Sequence, residues 1–431
     1  MDLIKPPRLH AHLIKGIVDA LMDIFQKGDY ADKTVDRFLR THPKWGARDR
    51  RFFAEGVYEC VRWWRRLWFA ADLDPEKYLD RNFIAPDIVE KIWFAWFIIH
   101  NPSMAIPHLK IKYDQDPVKL WNLAPNRQIR ESIPDWLDAR GDAELKEHWE
   151  KVLNNLNKPA LVYLRVNKIK TTRENLITEL SSENISAQPV PGQIDALYLS
   201  ERKNVFISQP YKKGFFEVQD LGSQKIVPFL DIAPAMRIID ACAGGGGKSL
   251  HMASLMGNKG KVIALDTNDW RLKPLRQRAA RAGADIIETR IITSGKIIKR
   301  LSESADRLLL DVPCSGSGVL RRNPDTRWKL STDEITRLVG VQQDILQHYS
   351  GMTKKGGMMV YATCSVFPSE NEKQIETFLN SREGKEWRLA DQFRIFPSEN
   401  PESNQTENST VKHVQYFENS DGFYAARLQR S

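Results

Sequence analysis

The stretch from Arg237 to Lys248, RIIDACAGGGGK, constrains what this chain can fold into more than any other. An apolar pair, Ile238 and Ile239, runs into a turn with four consecutive glycines, Gly244 to Gly247, and KSLHMASLMG then reads as a helix. Strand, glycine-rich turn and helix let backbone approach a ligand closely and aim a helix N-terminus at it. After this stretch the alternation repeats. KVIALDT, DIIETR, ADRLLLDVP and GMMVYATCS read as strands, each separated from the next by a helical pattern. Such β–α order predicts an α/β domain built on a parallel, doubly wound (Rossmann-like) sheet covered on both faces. A polar stretch, Pro397–Ser409, follows, and DGFYAARLQ is expected as a final antiparallel edge strand.

The part before this region is different. From Leu13 to Pro134 the pattern is helical: Ile14, Ile17, Leu21 and Ile24 recur at spacings of three and four. In ARDRRFFAEGVYECVRWWRRLWFAADL, basic residues interleave with aromatics. Core packing is expected for at least two of Trp63, Trp64 and Trp68. Cys60 reads as a buried small hydrophobe. Arg48, Arg50, Arg51, Arg62, Arg65 and Arg66 are dense enough for a phosphate-contacting surface, or form a solvated helix face. Between the helical region and the glycine-rich turn, PALVYLRVNK, DALYLSE and NVFISQ read as strands and TTRENLITELSSEN as a helix. Three domains are therefore expected: residues 1–134 all-helical, 135–214 a small α+β unit, and 215–431 the doubly wound domain.

Composition narrows the function classes. The formal net charge of +9 suits a nucleic-acid partner without requiring one. The four cysteines, Cys60, Cys242, Cys314 and Cys364, form no C-x-x-C pair, so neither a zinc site nor any other metal site is expected. No apolar run reaches membrane-spanning length, IWFAWFII included, and the N-terminus carries no uninterrupted apolar signal segment. These features describe a cytoplasmic, reducing-compartment protein without membrane attachment, with a monomer as the default state.

Three ligands compete for the glycine-rich turn. A P-loop wants glycine where Cys242 stands, and a dinucleotide fingerprint wants glycine where Ser249 stands. S-adenosylmethionine needs only backbone access for its amino-acid moiety and an acid for its ribose. Asp266, ending VIALD, is placed to be that acid or to cap the next helix. Two cysteines decide between them. Asp311-Val-Pro-Cys314-Ser and Thr363-Cys364-Ser each fall at the carboxyl end of a strand, the edge where doubly wound sheets bind ligands. Lys248 and the helix N-terminus after Cys364 are expected to favour a thiolate there.

These motifs resemble those of the RsmB/Nop/Sun family of RNA cytosine-5 methyltransferases. CAGGGGK is similar to the family's cofactor loop, LDVPCSGSGVLRRNPDTRW to its fourth motif, and YATCSVFPSENE to its sixth. RVN (Arg165–Asn167), VQDLGSQ and the terminal DGFYAARL match as well. The N-terminal helices resemble, more loosely, the NusB-like domain of one bacterial branch. The resemblance implies a class I methyltransferase domain that uses S-adenosylmethionine to methylate RNA, with small-subunit (16S) ribosomal RNA favoured over transfer RNA. A non-catalytic RNA-binding relative of the same fold is the alternative. It implies that Cys364 is the nucleophile, that Cys314 assists loss of the carbon-5 proton and release, and that Asp311 and Lys248 stand beside the base. Cys242, Ala243, Gly244, Gly245, Gly246, Gly247, Lys248, Asp266, Arg271 and Asp311 would hold the cofactor, and Arg165, Asn167, Arg321, Arg322 and Arg327 the RNA. Two departures stand out. Gly244-Gly245 replaces the family's Ala-Pro, and no acid follows the third strand, where Glu288, Thr293 and Ser294 are the substitutes on offer.

Overall fold

The structure is a computed structural model that describes residues 10–102, 111–398, 414–418 and 420–431. It divides into two compact units, Met1–Asn157 with Leu320–Thr332 and Lys158–Val319 with Asp333–Ser431.

The first unit is helical. Helix Ala11–Phe25 buries Leu13, Ile17, Leu21 and Ile24, whose spacing puts them on one face. They share a core with Phe53, Val57 and Cys60 of helix Ala47–Arg62 and with Trp93, Trp96 and Phe97 of helix Pro86–His100. Trp64 and Trp68 are buried there too, and each indole N–H donates to a loop carbonyl at 2.6 Å. The arginines of this region mostly face inward. Arg65 donates to the Ile133 carbonyl (2.8 Å) and to Asp135 (2.7 Å), and Arg66 donates to the carbonyls of Trp121 and Arg130. Loop carbonyls buried without helix or sheet partners need donors, and these guanidinium groups supply them. Arg48 and Arg51 alone among the six are exposed.

Leu320–Thr332 packs as part of this unit and corrects an expectation. Arg321 and Arg327 are 2% and 0% exposed, so neither presents its guanidinium to RNA. Arg321 donates to the Asn155 carbonyl (3.0 Å), while Arg327 donates to Asn157 Oδ1 (2.8 Å) and the Ser132 carbonyl (3.2 Å). Asp325 accepts from the Ala31 N–H, Trp328 donates to the Val61 carbonyl and Lys329 to the Asp29 carbonyl. The loop is a latch sewn into the helical unit by charge-assisted bonds. Arg322 is half-buried. Helices Asp135–Leu145 and His148–Leu156 pack within this unit.

The second unit contains two sheets. The smaller has the order β2-β3-β1-β4, all antiparallel, from β1 (Tyr163–Val166), β2 (Ala187–Pro189), β3 (Ala196–Leu199) and β4 (Phe216–Val218). Leu176 and Leu180 of helix Arg173–Ser182 cover it. The larger sheet comprises β5 (Arg237–Asp240), β6 (Lys261–Asp266), β7 (Ile287–Ile291), β8 (Ala305–Asp311), β9 (Thr353–Thr363), β10 (Trp387–Ser398), β11 (Val414–Glu418) and β12 (Phe423–Arg430). Its order is β11-β10-β12-β9-β8-β5-β6-β7, with β5 to β9 parallel. Separate apolar clusters pack against its faces.

β12 is antiparallel as expected, but it is no edge strand. It lies between β9 and β10, paired with both, and Tyr424, Ala425, Ala426 and Leu428 are fully buried. Its outer partner β10, WRLADQFRIFPS, has its alternation broken at Asp391, where the register shifts. Arg394 is accommodated by an ion pair with Glu372. Pro397 and Ser398 close β10, and the polar stretch from 399 to 409 lies outside the described residues. Among the described residues no helix is long and apolar enough to cross a membrane.

Candidate active site

The chain order turns back between β5 and β8. β5 pairs β6 on one edge and β8 on the other, so the crevice at their carboxyl ends is the ligand site of a doubly wound sheet. Three segments arrive there. The glycine-rich turn leaves β5, the Asp311–Cys314 loop leaves β8, and Cys364 leaves β9.

In the glycine-rich turn, Gly246 has φ +80°, and a Cβ there would sit 2.0 Å from Leu275 Cδ1. Glycine is required for both reasons. A Cβ at Gly244 meets nothing within 4 Å, so this part of the turn faces open space. Asp266 is buried; Oδ2 accepts the Gly244 N–H and Oδ1 the Asn268 N–H, both at 3.0 Å. It therefore braces the turn and opens the next helix, and its remaining lone pairs are left for a hydroxyl. Arg271 is exposed and lies over the Trp270 ring. Next to Asp266, whose carbonyl accepts the Ile292 N–H, an open cavity of about 380 Å³ is lined by Ile292, Ile298, Ile345 and Tyr349 among others. Glu288 lies back along β7, opposite Ile263, and is held by Lys261 and Arg290, which bring its carboxyl down to about 2.

Arg165 and Asn167 are also placed differently from the expectation of RNA contacts. Arg165 is 2% exposed; it donates to the Gly247 carbonyl at 2.7 Å and to Gln219. Burial pushes its guanidinium down to about 9. Asn167 is buried and donates to the carbonyls of Gly214 and Ala282, both at 2.8 Å. The small sheet thus props the glycine-rich turn from below. Arg278, paired with Glu217 opposite Arg165 in the same small sheet, donates to the Gly245 carbonyl.

The chemistry-bearing side chains converge at the crevice. Cys314 and Cys364 follow neighbouring strands in register, Asp311 opposite Ala362, which brings their Sγ atoms to 3.3 Å. Both are free thiols. A hydrogen bond to Cys364, then burial, and then the charges of Cys364 and Glu370 push the Cys314 thiol well up. Lys248 Nζ donates to Asp311 Oδ2 at 2.5 Å. Burial works to lower the lysine, but the charges of Asp311, Cys364 and Asp240 outweigh it, and the ammonium is held raised. Cys242 is half-buried with its thiol pushed well up by burial, a wall rather than a nucleophile.

Two further acids, Asp240 and Glu370, are buried at this crevice. Asp240 ends β5, is 1% exposed, accepts the Ser249 hydroxyl at 2.6 Å, and leaves Oδ1 without a partner. Burial pushes its carboxyl up to about 7. Glu370 lies wholly buried under the cysteine loops. The acid within SENE and the serine after each cysteine were its only signals. The DGF motif also gains a reason. Gly318 donates to the Cys364 carbonyl (2.9 Å) and accepts the Gly422 N–H (2.8 Å), and a Cβ on Gly318 would lie 2.3 Å from the Gly422 carbonyl oxygen.

Residues 227–429 match the family model described as 16S rRNA methyltransferase RsmB/F, and residues 133–206 match that of the RsmF/B-like ferredoxin-like domain. The chain is 30% identical to the probable ribosomal RNA small subunit methyltransferase B of Synechocystis sp., over 95% of this chain and 98% of that one. The chain belongs to the RsmB/F family of 16S rRNA methyltransferases. It is also 31% identical to ribosomal RNA small subunit methyltransferase B of Photorhabdus laumondii, over 65% of this chain and 67% of the relative. Among solved structures, that of PH0851 superposes with a TM-score of 0.73 at 23% identity, over 99% of this chain and 100% of that one. NSun6 from Pyrococcus horikoshii, solved with SFG, gives 0.60 at 21% identity over 70% of this chain and 99% of that one. Both share the fold. RsmB/F proteins are S-adenosylmethionine-dependent methyltransferases.

Proposed function

We propose that this chain methylates carbon 5 of a cytosine in small-subunit ribosomal RNA through a covalent cysteine adduct. The observation that carries the reading is the pair of thiols 3.3 Å apart at the carboxyl edge, beside the Lys248–Asp311 ion pair.

S-adenosylmethionine, when bound, supplies a methyl group on a sulfonium. The open space above Gly244, the lone pairs left on Asp266 and the apolar cavity beside it fit its amino-acid moiety, ribose and purine in turn. Arg165 and Arg278 hold the turn in shape through the carbonyls of Gly247 and Gly245.

Carbon 5 of cytosine is too weak a nucleophile by itself. Cys364 adds its thiolate sulfur to carbon 6, and the ring electrons move to carbon 5, which takes the methyl group. The proton then leaves carbon 5, the sulfur–carbon 6 bond breaks, and the thiolate returns. Cys314, held as a thiol beside it, assists proton loss and release. Asp311 contacts the edge of the base while Lys248 fixes the Asp311 carboxylate. The cytosine must leave its stack to reach this crevice.

A covalent trap tests the reading. Wild type, Cys314→Ala and Cys364→Ala are incubated with S-adenosylmethionine and unmodified 16S ribosomal RNA or transfer RNA, then run on a denaturing gel. An RNA-linked band with Cys314→Ala alone, and only with ribosomal RNA, is the expected result. No band and no methyl transfer by wild type overturns it, and a band with transfer RNA alone moves the substrate.

A further inference from the structure

Beneath the two thiols lies a buried polar cluster that neither the cofactor site nor the methyl transfer uses. Its centre is Glu370, which is 0% exposed. Oε1 accepts the Ser315 N–H (2.8 Å) and the Gln342 amide (3.0 Å); Oε2 accepts the hydroxyls of Ser315 and Ser365, each at 2.5 Å. A carboxylate offers about four lone-pair sites, and these donors meet them all. Ser317 closes the cluster. Its hydroxyl lies 3.0 Å from that of Ser365 and accepts the Val366 N–H at 3.0 Å.

The anchoring points are informative. Ser315 follows Cys314 and Ser365 follows Cys364. One carboxylate therefore ties the backbone after one thiol to the side chain after the other, although the loops come from different strands. A buried carboxylate is costly to desolvate, and an apolar residue of the same size would pack this space without that cost. We infer that Glu370 is a positioning residue that holds Cys314 and Cys364 face to face, an inference that rests on the two-cysteine chemistry proposed above.

Its charge acts in the same direction. Cys314 faces Cys364, Glu370, the Tyr361 phenol and the Gly316 N–H, with Lys248 beside Cys364. The Glu370 charge helps keep Cys314 a thiol, able to donate to Cys364. Tyr361 donates to the Glu370 carbonyl at 2.6 Å and so pins the same residue from β9.

The test uses full-length protein without RNA. Diamide takes two electrons and two protons from a pair of adjacent thiols, leaving a disulfide, and peptide mass spectrometry identifies the bridge. Wild type should form the Cys314–Cys364 bridge readily. Glu370→Ala should form it at least about tenfold more slowly, with its S-adenosylhomocysteine-induced rise in Tm retained. Glu370→Gln should restore the bridge, because the two serine hydroxyls can turn to accept from its amide. The same variant should shift alkylation of Cys314 by iodoacetamide to lower pH, because the charge is gone. A folded Glu370→Ala that bridges at the wild-type rate overturns the inference, as does an unmoved alkylation profile in Glu370→Gln. Should Glu370→Ala fail to fold, Ser315→Ala and Ser365→Ala remove one bond each, and wild-type bridging in both overturns it equally. If wild type methylates neither RNA yet its bridging still depends on Glu370, the methylation reading fails and the positioning role stands.

Discussion

Asp240 makes the pH dependence of folding a test of the site. Its carboxyl sits at about 7 in the fold against an ordinary value of 3.8, chiefly through burial. The Asp311 and Asp266 charges add to this, while Ser249 and Lys248 oppose it. Between these two pH values the folded chain holds a proton that the unfolded chain has lost. Stability therefore falls as pH rises through this window, by about 1.4 kcal/mol per pH unit for this group. The contribution is whole below about pH 4 and spent by about pH 7, a total on the order of 4 kcal/mol. Asn is nearly isosteric with the protonated carboxyl and cannot ionise. Asp240→Asn should thus match wild type near pH 4 and exceed it by several kcal/mol near pH 7.5. Urea unfolding of the cofactor-free protein, followed by tryptophan fluorescence at half-unit pH steps, measures the difference. Parallel curves for the two proteins would refute the reasoning, since they would mean that Asp240 ionises in the fold as easily as in the unfolded chain.

Three further perturbations separate structural from chemical roles. Gly246→Ala should destabilise the protein by about 2 kcal/mol or more, because its Cβ meets Leu275 at 2.0 Å on a backbone with φ +80°. Gly245→Ala, which meets only Arg278 Nη1 at 3.4 Å, should be neutral or stabilise by up to about 1 kcal/mol; a wild-type urea midpoint for Gly246→Ala would contradict the first, and a lowered one for Gly245→Ala the second. Arg165→Met should weaken S-adenosylhomocysteine binding about tenfold and also lower Tm, because a buried charged donor to the Gly247 carbonyl is worth about 1.5–3 kcal/mol. Calorimetric titration showing wild-type affinity, together with lost RNA binding, would return Arg165 to an RNA-contacting role. Arg327→Ala should cost about 3 kcal/mol in the helical unit by stranding Asn157 and the Ser132 carbonyl. RNA affinity of the folded variant should be unchanged, and a filter-binding loss without destabilisation would speak against the latch.

The doubly wound sheet was legible because its evidence is local. Periodicity changes from strand to helix, a glycine-rich turn follows the first parallel strand, and polar residues punctuate each carboxyl end. The two cysteines were legible for a related reason. Placing them at the ends of consecutive parallel strands requires only counting, and strand register then brings them together at 3.3 Å. β10 was not legible, because Asp391 breaks the alternation of Trp387, Leu389, Phe393 and Ile395 at a register shift, and burial of Arg394 is tolerable only with a partner such as Glu372.

Arginine marks the limit most clearly. A guanidinium in the sequence reads as a surface charge, and a run of them near an RNA-processing motif reads as a phosphate grip. Whether it reaches solvent depends on which carbonyls the fold leaves without partners. Arg62, Arg65, Arg165, Arg321 and Arg327 all became internal donors for that reason. Glu370 is the acidic counterpart. It is one carboxylate in a polar motif until two loops from different strands bring their donors to it. The sequence by itself determined the chemistry and the edge of the sheet where it happens, since both follow from residue type and order along the chain. Tertiary structure alone decided which charged groups face the solvent and which hold the site in place, because that depends on hydrogen-bond partners far apart in sequence.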